Sequence, residues 1–300
     1  MEVIVLGSSG GAPSRYRNCT SLILNTDSYG IMFDCAEGTQ RQLLKASYKL
    51  SRIHYIFISH MHQDHIGGLV PMLSTKSMFN IPGKVVIIGP AKIKEYLEFN
   101  FNITQSRLGF EVEFFEAENN SLFTFKDFSV TTYLLNHRMS SYGFRVVFND
   151  KPGNIDLEKA ASFGLTPSPL LGQLQKVGSI ELDGRIVTMD DIASPPTKGK
   201  TFTYIGDTYL CDNIYEASQD ADMLYIESTF QKENDDRAAD RMHLTSYMCG
   251  EIAYKANVKS LVLSHFSASY NRFEKFREDA QELFKGKIYL AFDLDSYPVQ

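Results

Sequence analysis

Tyr55-Ile56-Phe57-Ile58-Ser59-His60-Met61-His62-Gln63-Asp64-His65-Ile66-Gly67-Gly68 runs an apolar stretch straight into three imidazoles and a carboxylate, in the pattern H-x-H-x-D-H. The run Tyr55 to Ile58 predicts a strand pointing at His60. Gly67 and Gly68 ease a bend, and a helix is expected from about Leu69. Such a turn aims ligands in more than one direction, so one segment can feed two metal ions a few ångströms apart. Imidazole and carboxylate donors without thiolate suit a catalytic Zn²⁺ or Mn²⁺ more than a closed structural zinc site. The chain holds only seven histidines, so three unrelated surface residues falling into one such window by chance is improbable.

Further along the chain, other apolar runs each end on a residue of the same chemistry. Ser129 to Leu135 leads to His137, Thr201 to Ile205 to Asp207, Met223 to Ile226 to Glu227, and Ser260 to Leu263 to His265. A lone His after a strand is more often packed or exposed than a ligand. Repeated from strand to strand, the pattern points to loops leaving one edge of packed sheets and meeting at one site.

The bulk composition is that of an ordinary globule. The chain has 300 residues, enough for one large domain or two small ones, with 43 % hydrophobic and 22 % charged residues and no Trp. The start, Met1-Glu2-Val3-Ile4-Val5, has no basic segment ahead of an apolar one, and no apolar run approaches membrane-spanning length, so a cytoplasmic protein is expected. Cys19, Cys35, Cys211 and Cys249 are scattered without a C-x-x-C pair, which speaks against a disulfide scaffold or zinc ribbon. A net charge of −6 argues mildly against a protein that coats nucleic acid nonspecifically.

Around these landmarks the chain alternates between strand-like and helix-like pieces. Residues 2 to 6 predict a short buried strand, and Gly7-Ser8-Ser9-Gly10-Gly11 a loop lacking the spacing of a nucleotide-binding motif. In Pro13-Ser14-Arg15-Tyr16-Arg17-Asn18, two arginines surround a tyrosine. Guanidinium forks and an aromatic face serve phosphate and base contacts, although a solvated turn explains them equally well. Residues 21–24 and 30–33 predict a hairpin, 40–49 an amphipathic helix, 84–89 a strand and 92–100 a helix. Phe110 to Phe115 and Phe123 to Leu135 look like antiparallel strands. Thr245 is a candidate N-cap for a helix from Ser246 to Ala256, and Glu274 to Phe284 is a second helix. Together they predict a mixed α/β architecture with helices covering sheets.

Residues 148–200 differ from their surroundings. Pro152, Pro167, Pro169, Pro195 and Pro196 fall here among six glycines. Long regular elements are not expected, apart from a short helix over Asp156 to Ser162. A surface insertion and a substrate-holding arm weigh equally.

Taken together, these residues carry a family likeness. The H-x-H-x-D-H turn marks the metallo-β-lactamase superfamily. Pro13 to Asn18, Phe33-Asp34-Cys35-Ala36-Glu37-Gly38-Thr39-Gln40, Gly206-Asp207-Thr208, Glu227-Ser228-Thr229-Phe230, His243 before a helix and His265-Phe266-Ser267 narrow it further. With this set, over nearly its whole length, the chain resembles ribonuclease Z, the tRNA 3′-processing endonucleases. The resemblance implies an αββα sandwich with a protruding flexible arm: one domain over residues 1–300, with a substrate-binding arm inserted at about 150–200. It implies two Zn²⁺ per chain, with Mn²⁺ an alternative, one ion on His60, His62 and His137 and the other on Asp64, His65 and His265, with Asp207 bridging. The implied reaction removes the 3′ trailer of precursor tRNA, leaving 3′-OH on the tRNA and 5′-phosphate on the trailer. Asp64 is then placed to orient the attacking water or take its proton, and His243 to protonate the departing 3′-oxygen, with Glu227 fixing the His243 tautomer. Asp34 is expected to support the ligands, or to be only a turn carboxylate. Arg15, Arg17, Asn18, Ser168 and Pro169 are the implied substrate contacts, and a homodimer is the implied assembly.

Three positions depart from the family pattern. Ser269 stands where an arginine usually follows His-x-Ser-x, Ser168-Pro169 replaces a Gly-Pro pair in the arm, and Ala36 stands where glycine is common. None of them is an implied metal ligand. The alternatives are a dinuclear phosphodiesterase acting on a small substrate, for which an arm is superfluous, and an RNA-binding scaffold without catalysis, against which the complete ligand set argues.

Overall fold

The computed structural model describes residues 1–165, 169–182 and 184–300. Among them two seven-stranded sheets form the frame. The first runs in the order Ser296–Pro298, Glu2–Gly7, Ser21–Asn25, Gly30–Phe33, Ile53–Phe57, Val85–Gly89, Val112–Glu116. The second runs Lys287–Leu290, Ser260–Ser264, Met223–Glu227, Thr201–Ile205, Ser141–Phe148, Phe128–Leu135, Leu122–Thr124. Their facing sides meet through aromatic rings. Phe33 lies 5.3 Å from Phe202 and 5.2 Å from Tyr204, and Phe57 lies 5.4 Å from Phe144. Each ring buries a large apolar area, and pairs at this spacing add to the burial energy.

Helices cover the outer faces. On the first sheet, Leu43, Leu69, Met72, Leu73, Ile93 and Leu97 from three helices pack against Ile56, Val85 and Ile87. On the second, Met248, Cys249, Ile252, Phe276 and Ala280 pack against Leu224, Leu261 and Leu263. The layering is therefore αββα, as the likeness implies. All four cysteines are free.

Several local expectations are corrected. Val112–Glu116 pairs parallel with Val85–Gly89 rather than antiparallel, because apolar alternation carries no information about direction. The helix expected over 40–49 is Thr39–Lys45; Ser47 takes the left-handed conformation (φ 53°), which ends it. The strand expected to span 123–135 is broken into the hairpin Leu122–Thr124 and Phe128–Leu135. Ser141–Phe148, Lys287–Leu290 and the helices Asp212–Ser218 and Asp235–Arg241 were not apparent in the sequence pattern.

Residues Phe148–Lys200 form a compact unit of their own, distinct from Met1–Val147 with Thr201–Gln300. This unit is more regular than its prolines suggest. It holds helices Leu157–Ser162, Pro169–Val177 and Met189–Ile192 and the hairpin Ser179–Leu182 with Arg185–Thr188. Leu165, Leu171, Leu174, Ile180, Val187 and Ile192 form its core. Pro152, Pro195 and Pro196 lie in irregular stretches between elements, and Pro169 opens a helix, where its missing N–H has no cost. Asp156 caps the first helix by accepting from the N–H groups of Glu158 and Lys159.

Candidate metal centre

Strand ends deliver the donors. The strand Ile53–Phe57 runs on to His60, and the short helix Gln63–Ile66 turns Asp64 and His65 back towards it. The parallel strands Thr201–Ile205, Met223–Glu227 and Ser260–Ser264 carry Asp207, Glu227 and His265 to the same edge, and Phe128–Leu135 brings His137. The donor atoms of His60, His62, His137 and Asp207 lie within 4.8 Å of one another, as do those of Asp64, His65, Asp207 and His265. Asp207 belongs to both sets. Its Oδ1 is 3.2 Å from His65 Nε2 and 3.1 Å from His265 Nε2, and its Oδ2 is 3.7 Å from His60 Nε2. Asp64 Oδ2 is 3.5 Å from His65 Nε2 and 3.6 Å from His265 Nε2.

The tautomers follow from what the other ring nitrogens do. His65 Nδ1 donates to Asp34 Oδ2 (2.7 Å), and His137 Nδ1 donates to the Met242 carbonyl (3.1 Å). Thr229 Oγ1 gives its own hydrogen to Glu227 Oε2, so it accepts from His265 Nδ1 at 2.8 Å. Ser59 Oγ likewise gives its hydrogen to Asp34 and accepts from His60 Nδ1 at 2.9 Å. Four rings are thereby left with an Nε2 lone pair facing the centre. His65 Nε2, His137 Nε2, His265 Nε2 and Asp207 Oδ1 are buried and have no hydrogen-bond partner. Buried polar atoms without partners are costly; His65 Nε2, His265 Nε2 and Asp207 Oδ1 belong to one donor set and His137 Nε2 to the other, which fits coordinated cations.

The electrostatics ask for positive charge in the same place. Burial opposes ionisation of Asp207, yet His265 and His65 outweigh it and hold the carboxyl well below the usual range. For His65, burial disfavours the charged ring, but Asp207 and Asp34 overcome this and raise its pKa well above the ordinary value. His60, by contrast, is pushed well down, by burial and then by the neighbouring His65.

Asp34 is more than a turn carboxylate. It is fully buried and accepts four hydrogen bonds: from Ser59 N (2.7 Å) on Oδ1, and from Ser59 Oγ (2.8 Å), His65 Nδ1 (2.7 Å) and Tyr204 Oη (2.6 Å) on Oδ2. Its backbone is left-handed, with φ 53°. Sequence reasoning missed Tyr204, a mid-strand aromatic indistinguishable from core. It also missed Ser59 and Thr229 as ligand supports, although each flanks a residue it singled out.

Beside the donors, His243 Nδ1 is 2.9 Å from Glu227 Oε1. Burial works against its charge, and Glu227 more than compensates, raising the imidazole to about 9. Glu227 also accepts from Thr208 N and Thr229 N, so its oxygens are committed to positioning.

The implied substrate contacts divide. Arg15 and Pro169 are exposed, and Tyr16 is 80 % exposed. Arg17 is buried, and its guanidinium is taken up by backbone carbonyls. The Asn18 side chain donates to the Glu37 carbonyl, and Asn18 also borders a cleft of about 330 Å³ lined by Pro13, Glu37, Arg41 and Lys45. Ser168 lies outside the described residues.

The chain is 36 % identical to a ribonuclease Z of Listeria monocytogenes, over 100 % of its own length and 99 % of the relative's. It is also 36 % identical to a ribonuclease Z of Crocosphaera subtropica, over 100 % and 98 % of the two lengths. Among solved structures it is similar to human tRNase Z, short form, with a TM-score of 0.73, 25 % identity and complete coverage of both chains. The metallo-β-lactamase fold protein YhfI of Bacillus subtilis, at 18 % identity and a TM-score of 0.70 over 99 % of this chain and 98 % of that one, shares the fold. A family model described as anti-Pycsar protein Apyc1 matches residues 1–152. With its full-length likeness to the Listeria and Crocosphaera enzymes, this chain belongs to the ribonuclease Z family.

Proposed function

We propose that the chain is a metal-dependent endoribonuclease that hydrolyses the phosphodiester joining precursor tRNA to its 3′ trailer. The observation that carries this reading is the convergence of seven donors, His60, His62, Asp64, His65, His137, Asp207 and His265, beside the His243–Glu227 pair. Nitrogen and carboxylate donors with no thiolate suit Zn²⁺ or Mn²⁺, and two such ions would be held by His60, His62, His137 and Asp207 and by Asp64, His65, Asp207 and His265. Bound there, such cations lower the proton affinity of water and stabilise charge on phosphoryl oxygens.

The chain's own groups do the rest. Gly11 N–H donates to Asp64 Oδ2 at 2.8 Å and fixes the carboxylate that orients the attacking water or takes its proton. Attack at phosphorus breaks the P–O3′ bond. His243, with Nδ1 occupied by Glu227, holds a proton at Nε2 for the departing 3′-oxygen. The products are a tRNA ending in 3′-OH and a trailer with a 5′-phosphate. Arg15, Tyr16 and the 148–200 unit, with Pro169 at the start of one of its helices, are assigned to gripping RNA.

A cytoplasmic homodimer is the assembly we assign. Among the described residues, no helix is long and apolar enough to cross a membrane. The helices outside the first sheet leave Leu44, Met78, Phe79, Phe99 and Ile103 more than half exposed, which supports self-association.

A second reading, hydrolysis of a small phosphodiester, is favoured by one fact: all seven donors lie outside residues 148–200. The test is to incubate the purified, metal-analysed protein with one precursor tRNA and map both new ends, beside a small chromogenic phosphodiester. A cut next to the discriminator nucleotide with the stated ends is expected. Brisk small-ester turnover without that cut would replace the first reading by the second.

A further inference from the structure

We infer that Arg17 is a positioning residue for the cation site built from Asp64, His65, Asp207 and His265, acting through the loop that follows His265 and not through substrate phosphate. The inference rests on the proposal that this site holds a metal ion. Arg17 is only 7 % exposed. Its Nη1 donates to the Phe266 carbonyl (3.1 Å), and its Nη2 lies within bonding reach of the Ser267 (3.3 Å) and Tyr270 (3.5 Å) carbonyls. The guanidinium carbon stands 4.8 Å from the centre of the Phe273 ring. One planar cation thus gathers three carbonyls and an aromatic face from the segment 266–273. A guanidinium engaged in this way has little left for a phosphate, and a lysine cannot reproduce the fork.

The segment needs such a restraint. His265 has a left-handed backbone, φ 58°, which a non-glycine residue keeps only when its surroundings over-determine it. The Arg17 loop supplies several of those surroundings. Phe266 and Ser267 pair with Ser9 and Gly10 in a short parallel bridge, and Phe266 N donates to the Ser8 carbonyl (3.0 Å). A Cβ on Gly10 would come within 2.6 Å of the His265 ring, so glycine there lets the loop lie flat against the ligand. Next in sequence, Gly11 N–H holds Asp64. The loop itself is pinned by Asp293, which accepts from Ser8 Oγ (2.8 Å) and Asn18 N (2.7 Å). Residues 8–18 therefore brace two of the four donors of one site, and no such bond runs from them to His62 or His137 among the described residues.

Stepwise chelator competition on the metal-loaded protein tests this, with Arg17→Lys, Arg17→Ala and Phe273→Leu beside the unaltered chain. Loss of a residue that orients a ligand typically weakens metal affinity about 10- to 100-fold. Arg17→Lys and Arg17→Ala should lose that much at one of two ions while the other stays bound, and millimolar guanidinium should restore the lost affinity in Arg17→Ala. For both precursor tRNA and a small phosphodiester, kcat should fall at subsaturating metal, with KM little changed. Unchanged affinity for both ions, with KM for tRNA raised and the salt dependence of binding reduced, would overturn the inference and make Arg17 a phosphate contact. If Arg17→Ala fails to fold, Phe273→Leu decides by the same competition: a weakened single ion supports the brace, and wild-type affinity overturns it. Absence of bound metal in the unaltered protein would instead remove the underlying metal reading.

Discussion

Replacing Asp34 by Asn probes the support of the centre without touching a proposed ligand. The carboxylate accepts four bonds, one on Oδ1 and three on Oδ2. The least costly amide orientation turns its NH₂ towards Ser59 N, so one buried N–H loses its acceptor, at about 1–3 kcal/mol. The three bonds on the other oxygen survive but lose their charge assistance, which is worth roughly another 1–2 kcal/mol. Asparagine tolerates the left-handed backbone, so no further strain is added. The metal-free protein should lose about 2–5 kcal/mol in urea unfolding, a large share of the typical ~5–15 kcal/mol. Metal affinity should fall about 10- to 100-fold, because the Nδ1 bond that fixes the His65 tautomer then ends on a neutral oxygen instead of a carboxylate. Asp34→Ala strands all four donors and should fail to fold. An Asp34→Asn protein within about 1 kcal/mol of the parent, the low end of an unpaired buried donor, and with unchanged chelator competition, would refute the reasoning.

Other expectations follow from the same geometry. His62→Ala should abolish cleavage and release metal, whereas His243→Ala should keep metal and slow turnover about 10²-fold or more; equal metal loss in both variants would contradict this division of roles. His243 is raised to about 9, so its contribution to stability is complete below about 6.5 and is lost as pH rises through about 9. Activity should fall along the same alkaline limb, and Glu227→Gln should move that limb to lower pH; an unmoved limb would remove Glu227 from the mechanism. Lys151 and Thr197 exchange two backbone hydrogen bonds of 2.9 Å, so a short linker can close the chain after deletion of residues 155–190. That deletion should depress tRNA cleavage far more than small-diester hydrolysis, and equal losses would make the segment a folding element.

The His60–His65 turn was legible because metal chemistry concentrates rare residues. The distant donors were legible only as a repeated motif of apolar run followed by His, Asp or Glu. Asp235–Arg241 escaped notice because a helix of charged residues and alanines has no apolar period. Ser141–Phe148 was hidden by Gly143 and Arg145, which break its alternation. The order within 148–200 depends on six aliphatic side chains spread between prolines, and their convergence appears only once the hairpin at 179–188 brings them together. The Arg17 contacts were illegible for a related reason: its partners lie about 250 positions away, and nothing local distinguishes a guanidinium bound to carbonyls from one awaiting phosphate.

The donors come from both layers: His60, His62, Asp64 and His65 leave the edge of one sheet, and His137, Asp207 and His265 leave the other. Metal held there would also act as a rivet across the seam of the sandwich. Free metal at a thousand times its dissociation constant would add about 4 kcal/mol to the folded state. Chelation should accordingly lower the melting temperature, and amide exchange should quicken first along that edge, so that metal supply governs the lifetime of the enzyme as well as its rate.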